Sequence, residues 1–186
     1  MNKIKIDLNF IKTAIKDFKV GALTPSSKYV VKKILKEIKP EYKYIVEYGP
    51  GDGIITKEIL KILPQDGRLI AIELNLNFIN ELKKIKDKRL KIIHGDAVKI
   101  SKNIDKLGLP RIDAIISGIP CSILKLKDKK ELIKNTYDIL TKSGLFIIYQ
   151  NIPLIFSELN KVFKKSISWH FEPRNFVPYF IMVAEK

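Results

Sequence analysis

With 186 residues, 46% of them apolar and 30% charged, the chain is long enough for one domain with a real hydrophobic core and too apolar for a disordered tail. A single cysteine, Cys121, excludes an internal disulfide, and with only two histidines, His94 and His170, no metal-ligand spacing arises, so no metal is expected. The net charge of +15 comes from 31 Lys against 4 Arg, with 32 Ile enriched alongside; it favours anionic partners, nucleic acid or a membrane surface, without the Arg density of a base-reading face.

No apolar run reaches the roughly 18 residues of a membrane span. The N-terminal stretch Met1 to Asp7 has no apolar signal core, which points to a cytoplasmic chain. Residues 4–18 have helical periodicity: Ile4, Leu8, Ile11, Ile15 and Phe18 form one stripe, with Lys5, Lys12, Lys16 and Lys19 along its flank. Val20 to Pro25 breaks the pattern. Ser26 then reads as the cap of a helix from Ser27 to Ile38, which Pro40 ends.

From there strands and helices alternate. The expected strands are 43–48, 67–73, 90–94, 113–117, 144–150, 165–171 and 176–184. The expected helices are about 54–62, 75–86, 99–106 and 127–141, with a further one opened by Pro153. Continuous apolar strands alternating with helices predict an α/β fold: a doubly wound, mostly parallel, seven-stranded sheet with helices on both faces. The last two strands are joined only by Glu172-Pro173-Arg174-Asn175, so they must be antiparallel. Residues 1–186 read as a single domain, with 1–39 as a helical extension.

The first strand runs into Gly49-Pro50-Gly51-Asp52-Gly53. In such sheets ligands sit beyond the carboxyl ends of the strands, so this loop is the default binding position. Its spacing is not the Gly-x-Gly-x-x-Gly of a dinucleotide loop, and Asp52 is poor company for pyrophosphate. Glu73 ends the second strand, where an acidic side chain can hold ribose hydroxyls. Asp96 follows the third strand, where a carboxylate can accept from an exocyclic amine. Three strand ends together make a nucleoside site without a phosphate cradle.

Glu47-x-Gly49-x-Gly51-x-Gly53, Glu73 and Gly95-Asp96-Ala97 resemble the class I S-adenosylmethionine-dependent methyltransferases over about residues 42–150. The resemblance implies the strand order 3-2-1-4-5-7-6 and S-adenosylmethionine as cofactor. It implies that Gly49, Pro50, Gly51, Asp52 and Gly53 lie against the methionine and adenosine. Glu73 with Leu74 would then hold the ribose, Asp96 with Ala97 the adenine, and Glu47 the loop and the methionine amino end. Ser26 and Ser27 would close over the methionine, or act only as a helix cap.

The fourth strand ends in Ser117-Gly118-Ile119-Pro120-Cys121, the position that borders the transferred methyl in this family. Enzymes that methylate adenine, including the rRNA adenine dimethylases, carry an aromatic after this proline, and here it is Cys121. Val20-Gly21-Ala22-Leu23-Thr24-Pro25-Ser26-Ser27 resembles the VGAxxPSS segment of bacterial phospholipid N-methyltransferases, and Ser117 to Pro120 resembles their SGLP. Tyr149-Gln150 lies near their QFTY, and Arg174-Asn175-Phe176-Val177-Pro178-Tyr179 resembles their xNxPPA with Val177 and Tyr179 as departures. That resemblance implies methylation of a phosphatidylethanolamine-type amine. Ser117, Gly118 and Ile119, with Tyr149 and Tyr179, are the candidates for orienting the amine.

The lysine-flanked stripe of residues 4–18 suits a helix lying in an anionic membrane interface, or an ordinary amphipathic helix packed on the sheet. A phospholipid and the inner membrane face are thus the expected partners. The alternatives are an RNA adenine or small-amine methyltransferase, and a non-enzymatic cofactor- or RNA-binding protein.

Overall fold

The computed structural model describes residues 26–164, 166–175 and 177–186. The helix expected over 4–18 and the break at 20–25 lie outside the described residues. The chain enters at α1 (Lys28–Glu37), then follows β1 (Tyr44–Tyr48), α2 (Ile54–Ile62), β2 (Arg68–Glu73), α3 (Leu76–Leu82) and β3 (Leu90–His94). It continues through α4 (Ala97–Ser101), a 3-10 turn (Ile104–Leu107), β4 (Ile112–Ser117), α5 (Leu126–Ile139), β5 (Leu140–Gln150), α6 (Phe156–Phe163), β6 (Ile167–Glu172) and β7 (Tyr179–Glu185).

The seven strands form one sheet in the order β3-β2-β1-β4-β5-β7-β6. The first five are parallel, and β7 runs antiparallel to both β5 and β6. The central strands are largely apolar because both faces are covered. On one face Val30, Ile34, Ile55 and Ile59 of α1 and α2 pack on Ile45, Leu69 and Ile147. On the other, Leu132, Ile133, Leu159 and Phe163 of α5 and α6 pack on Val46, Ile70 and Phe146. The chain leaves β1 outward to β2 and β3, then returns to β4 on its other side. A crevice therefore opens above β1 and β4, at the switch point of the sheet.

Local differences from the sequence expectation have local causes. Ser27, not Ser26, caps α1: its hydroxyl accepts from Val30 N–H at 3.5 Å. The helix expected over 75–86 ends at Leu82, because Lys84 and Ile85 bond back to Glu81 and Leu82 and tighten the last turn. Asp96 caps α4, so that helix starts at Ala97, stops at Ser101 and gives way to the 3-10 turn. β5 starts at Leu140 rather than Gly144, with a register shift against β4 and Ser143 at φ 62°. Pro153 stands ahead of α6, whose first residue is Phe156.

Candidate functional site

The loop after β1 turns sharply, with Gly49, Gly51 and Gly53 at φ of +63°, +58° and +76°. A side chain at Gly49 would meet Ile119 at 3.0 Å, and one at Gly53 would meet Leu82 at 2.9 Å. A Cβ at Gly51 would meet nothing within 4 Å. Two of the glycines therefore admit neighbours from the protein, while Gly51 faces open space. Asp52 accepts from Ile54 N–H at 3.1 Å, at the first turn of α2. A carboxylate thus sits where a phosphate would sit in a dinucleotide fold, which explains the altered spacing.

Glu73 ends β2 beneath this loop. Its Oε1 accepts from the N–H groups of Leu74 and Asn75, each at 2.8 Å, and its Oε2 accepts from Gly51 N–H at 3.0 Å. A carboxylate offers about four lone-pair directions, so with three taken acceptor capacity remains for a ribose hydroxyl. Asp96 is half-buried at the end of β3 and spends Oδ1 on Val98 N–H at 2.9 Å. Gly49, Pro50, Gly51, Asp52, Glu73, Leu74, Asp96 and Ala97 all line one cavity of about 1050 Å³, together with Ser26, Gly118, Ile119, Tyr149 and Tyr179.

Glu47, Gly53, Ser27 and Ser117 do not line it. Ser27 acts as a cap, and its N–H donates to Asn175 Oδ1 at 2.7 Å. Asn175 donates in turn to Val177 O at 3.1 Å, so the β6–β7 connection holds the start of α1 and sets Ser26 at the cavity wall. Sequence reasoning gave Asn175 no role; its match to a family segment was the signal. Gln150 was missed in the same way. Its Oε1 accepts from Cys121 N–H at 3.1 Å and fixes the loop after β4. Cys121 itself is buried, with its thiol pushed up to about 12 by desolvation.

At the other end of the cavity, Tyr149 and Tyr179 lie with ring centroids 6.2 Å apart. A Cβ on Gly118 would come within 2.2 Å of Tyr149 Oη, so the phenol tip fits only because Gly118 is bare. Burial raises the Tyr149 hydroxyl well above the ordinary tyrosine value, and Glu47, Tyr179, Asp52 and Glu73 add to the shift. Burial and Asp52 raise Tyr179 likewise. Both phenols therefore stay protonated donors in an acidic neighbourhood.

Glu47 is fully buried in β1. Its Oε2 accepts from Thr56 Oγ at 2.6 Å, and its Oε1 has no partner. Desolvation raises this carboxyl from 4.5 to about 8. Between those values the folded chain keeps a proton that the unfolded chain has released, so stability falls as pH rises through that window. Glu47→Gln removes the term. The drop in Tm of the cofactor-free protein between about pH 5 and about pH 8 is expected to shrink in that variant. An unchanged drop would place the ionisation elsewhere.

An open approach at Gly51, spare acceptor capacity on Glu73 and the Asp52 carboxylate at the head of α2 suit a cofactor with a flat nucleoside and no phosphate. Comparison with known proteins agrees. The model of the family described as ribosomal RNA adenine dimethylase matches residues 23–153. An ornithine lipid N-methyltransferase from Singulisphaera acidiphila is 26% identical over 162 residues, 86% of this chain and 84% of its own. Ribosomal RNA small subunit methyltransferase A from Blochmanniella pennsylvanica is 41% identical over 68 residues, 36% of this chain, and the match spans only 25% of that enzyme. The O-methyltransferase TomG from Streptomyces achromogenes, solved in complex with SAM, superposes with a TM-score of 0.68 at 13% identity, covering 98% of this chain and 92% of its own.

Proposed function

Because the chain belongs to the ribosomal RNA adenine dimethylase family and is an S-adenosylmethionine-dependent methyltransferase, we propose that it methylates the amine of a phospholipid, of the phosphatidylethanolamine type, at the inner membrane face. One observation carries this reading. The acceptor end presents two tyrosines among carboxylates, and the position after Pro120, where adenine enzymes stack a base, holds a buried cysteine outside the cavity. Of the lining lysines, Lys99 belongs to α4, Lys102 follows it and Lys127 belongs to α5. Base stacking on an aromatic contributes roughly 1–3 kcal/mol, so its absence weighs against a flat acceptor. The lipid relative, matched over most of its length, supports the same choice.

In this reading Glu73 holds the ribose hydroxyls, Asp96 and Ala97 address the adenine, and Glu47 stands under the methionine amino end. S-adenosylmethionine supplies a methyl group already activated on sulfur. The protein's task is positioning. Carbonyls around Ser117, Gly118 and Ile119, with the Tyr149 and Tyr179 hydroxyls, orient the amine. The carboxylates Asp52 and Glu73 attract it, and aromatic faces favour the increasingly methylated, cationic products. Ser26, just ahead of α1, brings the start of that helix to the cavity wall. Among the described residues no helix is long and apolar enough to cross a membrane, so a peripheral mode of access fits.

The test is methyl transfer from labelled cofactor to phosphatidylethanolamine vesicles and to RNA side by side. Label is expected in lipid. Label in RNA adenine alone would overturn the lipid acceptor, and label in neither would count against both.

A further inference from the structure

Nine large apolar side chains are exposed among the described residues, and their distribution is uneven. Leu74 and Leu76 follow β2, Ile123 and Leu126 follow β4, Leu154 and Phe156 follow β5, and Phe171 sits near the end of β6. β6 runs parallel to β5, because both are antiparallel to β7. All seven therefore lie on the carboxyl-end side of the sheet, the side on which the cofactor cavity opens, and Leu74 and Ile123 line that cavity. Of the other two, Ile62 ends α2 at the opposite end and Trp169 stands midway along the edge strand.

Single exposed apolar residues are ordinary, but a contiguous set around a binding cleft marks an interaction surface. From β2 to β6 the set spans five inter-strand steps, about 24 Å across the sheet. Its charges are those of a bilayer contact. Exposed Lys125 and Lys127 flank Leu126, and exposed Lys28 lies next to Ser27 and Ser26 of the cavity wall, while the Arg174 guanidinium is held by Glu172. Cations interleaved with apolar tips suit a surface that is apolar below and anionic above.

We propose that this rim is where the protein docks on an anionic lipid bilayer, with the cavity mouth facing the membrane so that a lipid amine enters without crossing water. The proposal rests on the lipid-amine reading above. RNA fits it less well, since phosphate recognition calls for dense cations rather than protruding Leu, Ile and Phe.

The test is co-sedimentation of the full chain with vesicles of phosphatidylethanolamine and phosphatidylglycerol. Replacing Leu126, Leu154 and Phe156 together by Ser is expected to lower the vesicle partition coefficient by at least about tenfold. Leu154→Trp is expected to raise it, because Trp favours the interface. Ile62→Ser, at the opposite end, is expected to leave it unchanged. Cofactor affinity is expected to stay at the wild-type level in all three, which also reports folding. Equal partition of the triple variant and the wild type overturns the rim, as does an equal loss in Ile62→Ser. A triple variant that changes the oligomeric mass but not the partition also overturns it, in favour of a contact between copies. The two proposals fail separately. Rim-dependent vesicle binding with label only in RNA sinks the lipid acceptor and keeps the rim. Methylation of detergent-dispersed lipid with rim-independent vesicle binding does the reverse.

Discussion

Glu73→Ala is expected to weaken S-adenosylmethionine binding by at least a hundredfold. The carboxylate has two tasks in this fold. It orders the loop by accepting from Gly51, Leu74 and Asn75 N–H groups, and its remaining lone pair is the proposed ribose acceptor. Hydrogen bonds to a charged group contribute roughly 1.5–3 kcal/mol each, so losing the ribose bond together with the Gly51 bond that shapes the loop removes about 3–6 kcal/mol, a hundredfold or more in affinity. Titration calorimetry with the cofactor measures this directly. Glu73→Gln keeps one acceptor oxygen and is expected to fall between the two. Wild-type affinity in the Ala variant would contradict the ribose assignment.

Gly118→Ala is expected to damage turnover more than cofactor binding. The added methyl would lie 2.2 Å from Tyr149 Oη and 2.8 Å from Gly49 O. The phenol can swing aside, but the Gly49 carbonyl is backbone in a loop fixed by its own turn. Overpacking of this kind costs about 1–3 kcal/mol of stability, and displacing an orienting group by about 1 Å can cost a hundredfold in rate. Thermal unfolding and initial rates of methyl transfer separate the two effects. Adding Tyr149→Phe removes the shortest contact and is expected to restore part of the lost Tm. Failure to restore any would locate the clash at Gly49 O and at the ring carbon Cζ, 2.7 Å away, which Phe retains.

Much of the fold was legible because its signals are local. Strand apolarity reports burial on both faces, and the short link between β6 and β7 forces an antiparallel pair. Glu73 and Asp96 were found because the carboxyl end of a parallel strand is a defined place even before the sheet is built. The boundaries were less legible. Ser26 and Ser27 are equivalent as letters, yet one caps a helix and the other lines the cavity, because Asn175, 148 residues away, fixes Ser27 N–H. The role of Gln150 was not legible locally, since its partner Cys121 follows the neighbouring strand β4, 29 residues away.

The sequence by itself determined the strands, their mostly parallel run and the strand ends that carry Gly51, Glu73 and Asp96, since periodicity encodes these directly. Only the tertiary structure decided what each glycine admits, where Asp52 spends its oxygen and why the Tyr149 tip needs Gly118. Only it shows that seven exposed apolar side chains, scattered from Leu74 to Phe171 along the chain, share one rim. Contacts between residues distant in the chain follow from how strands are ordered in space, and no local pattern records that order.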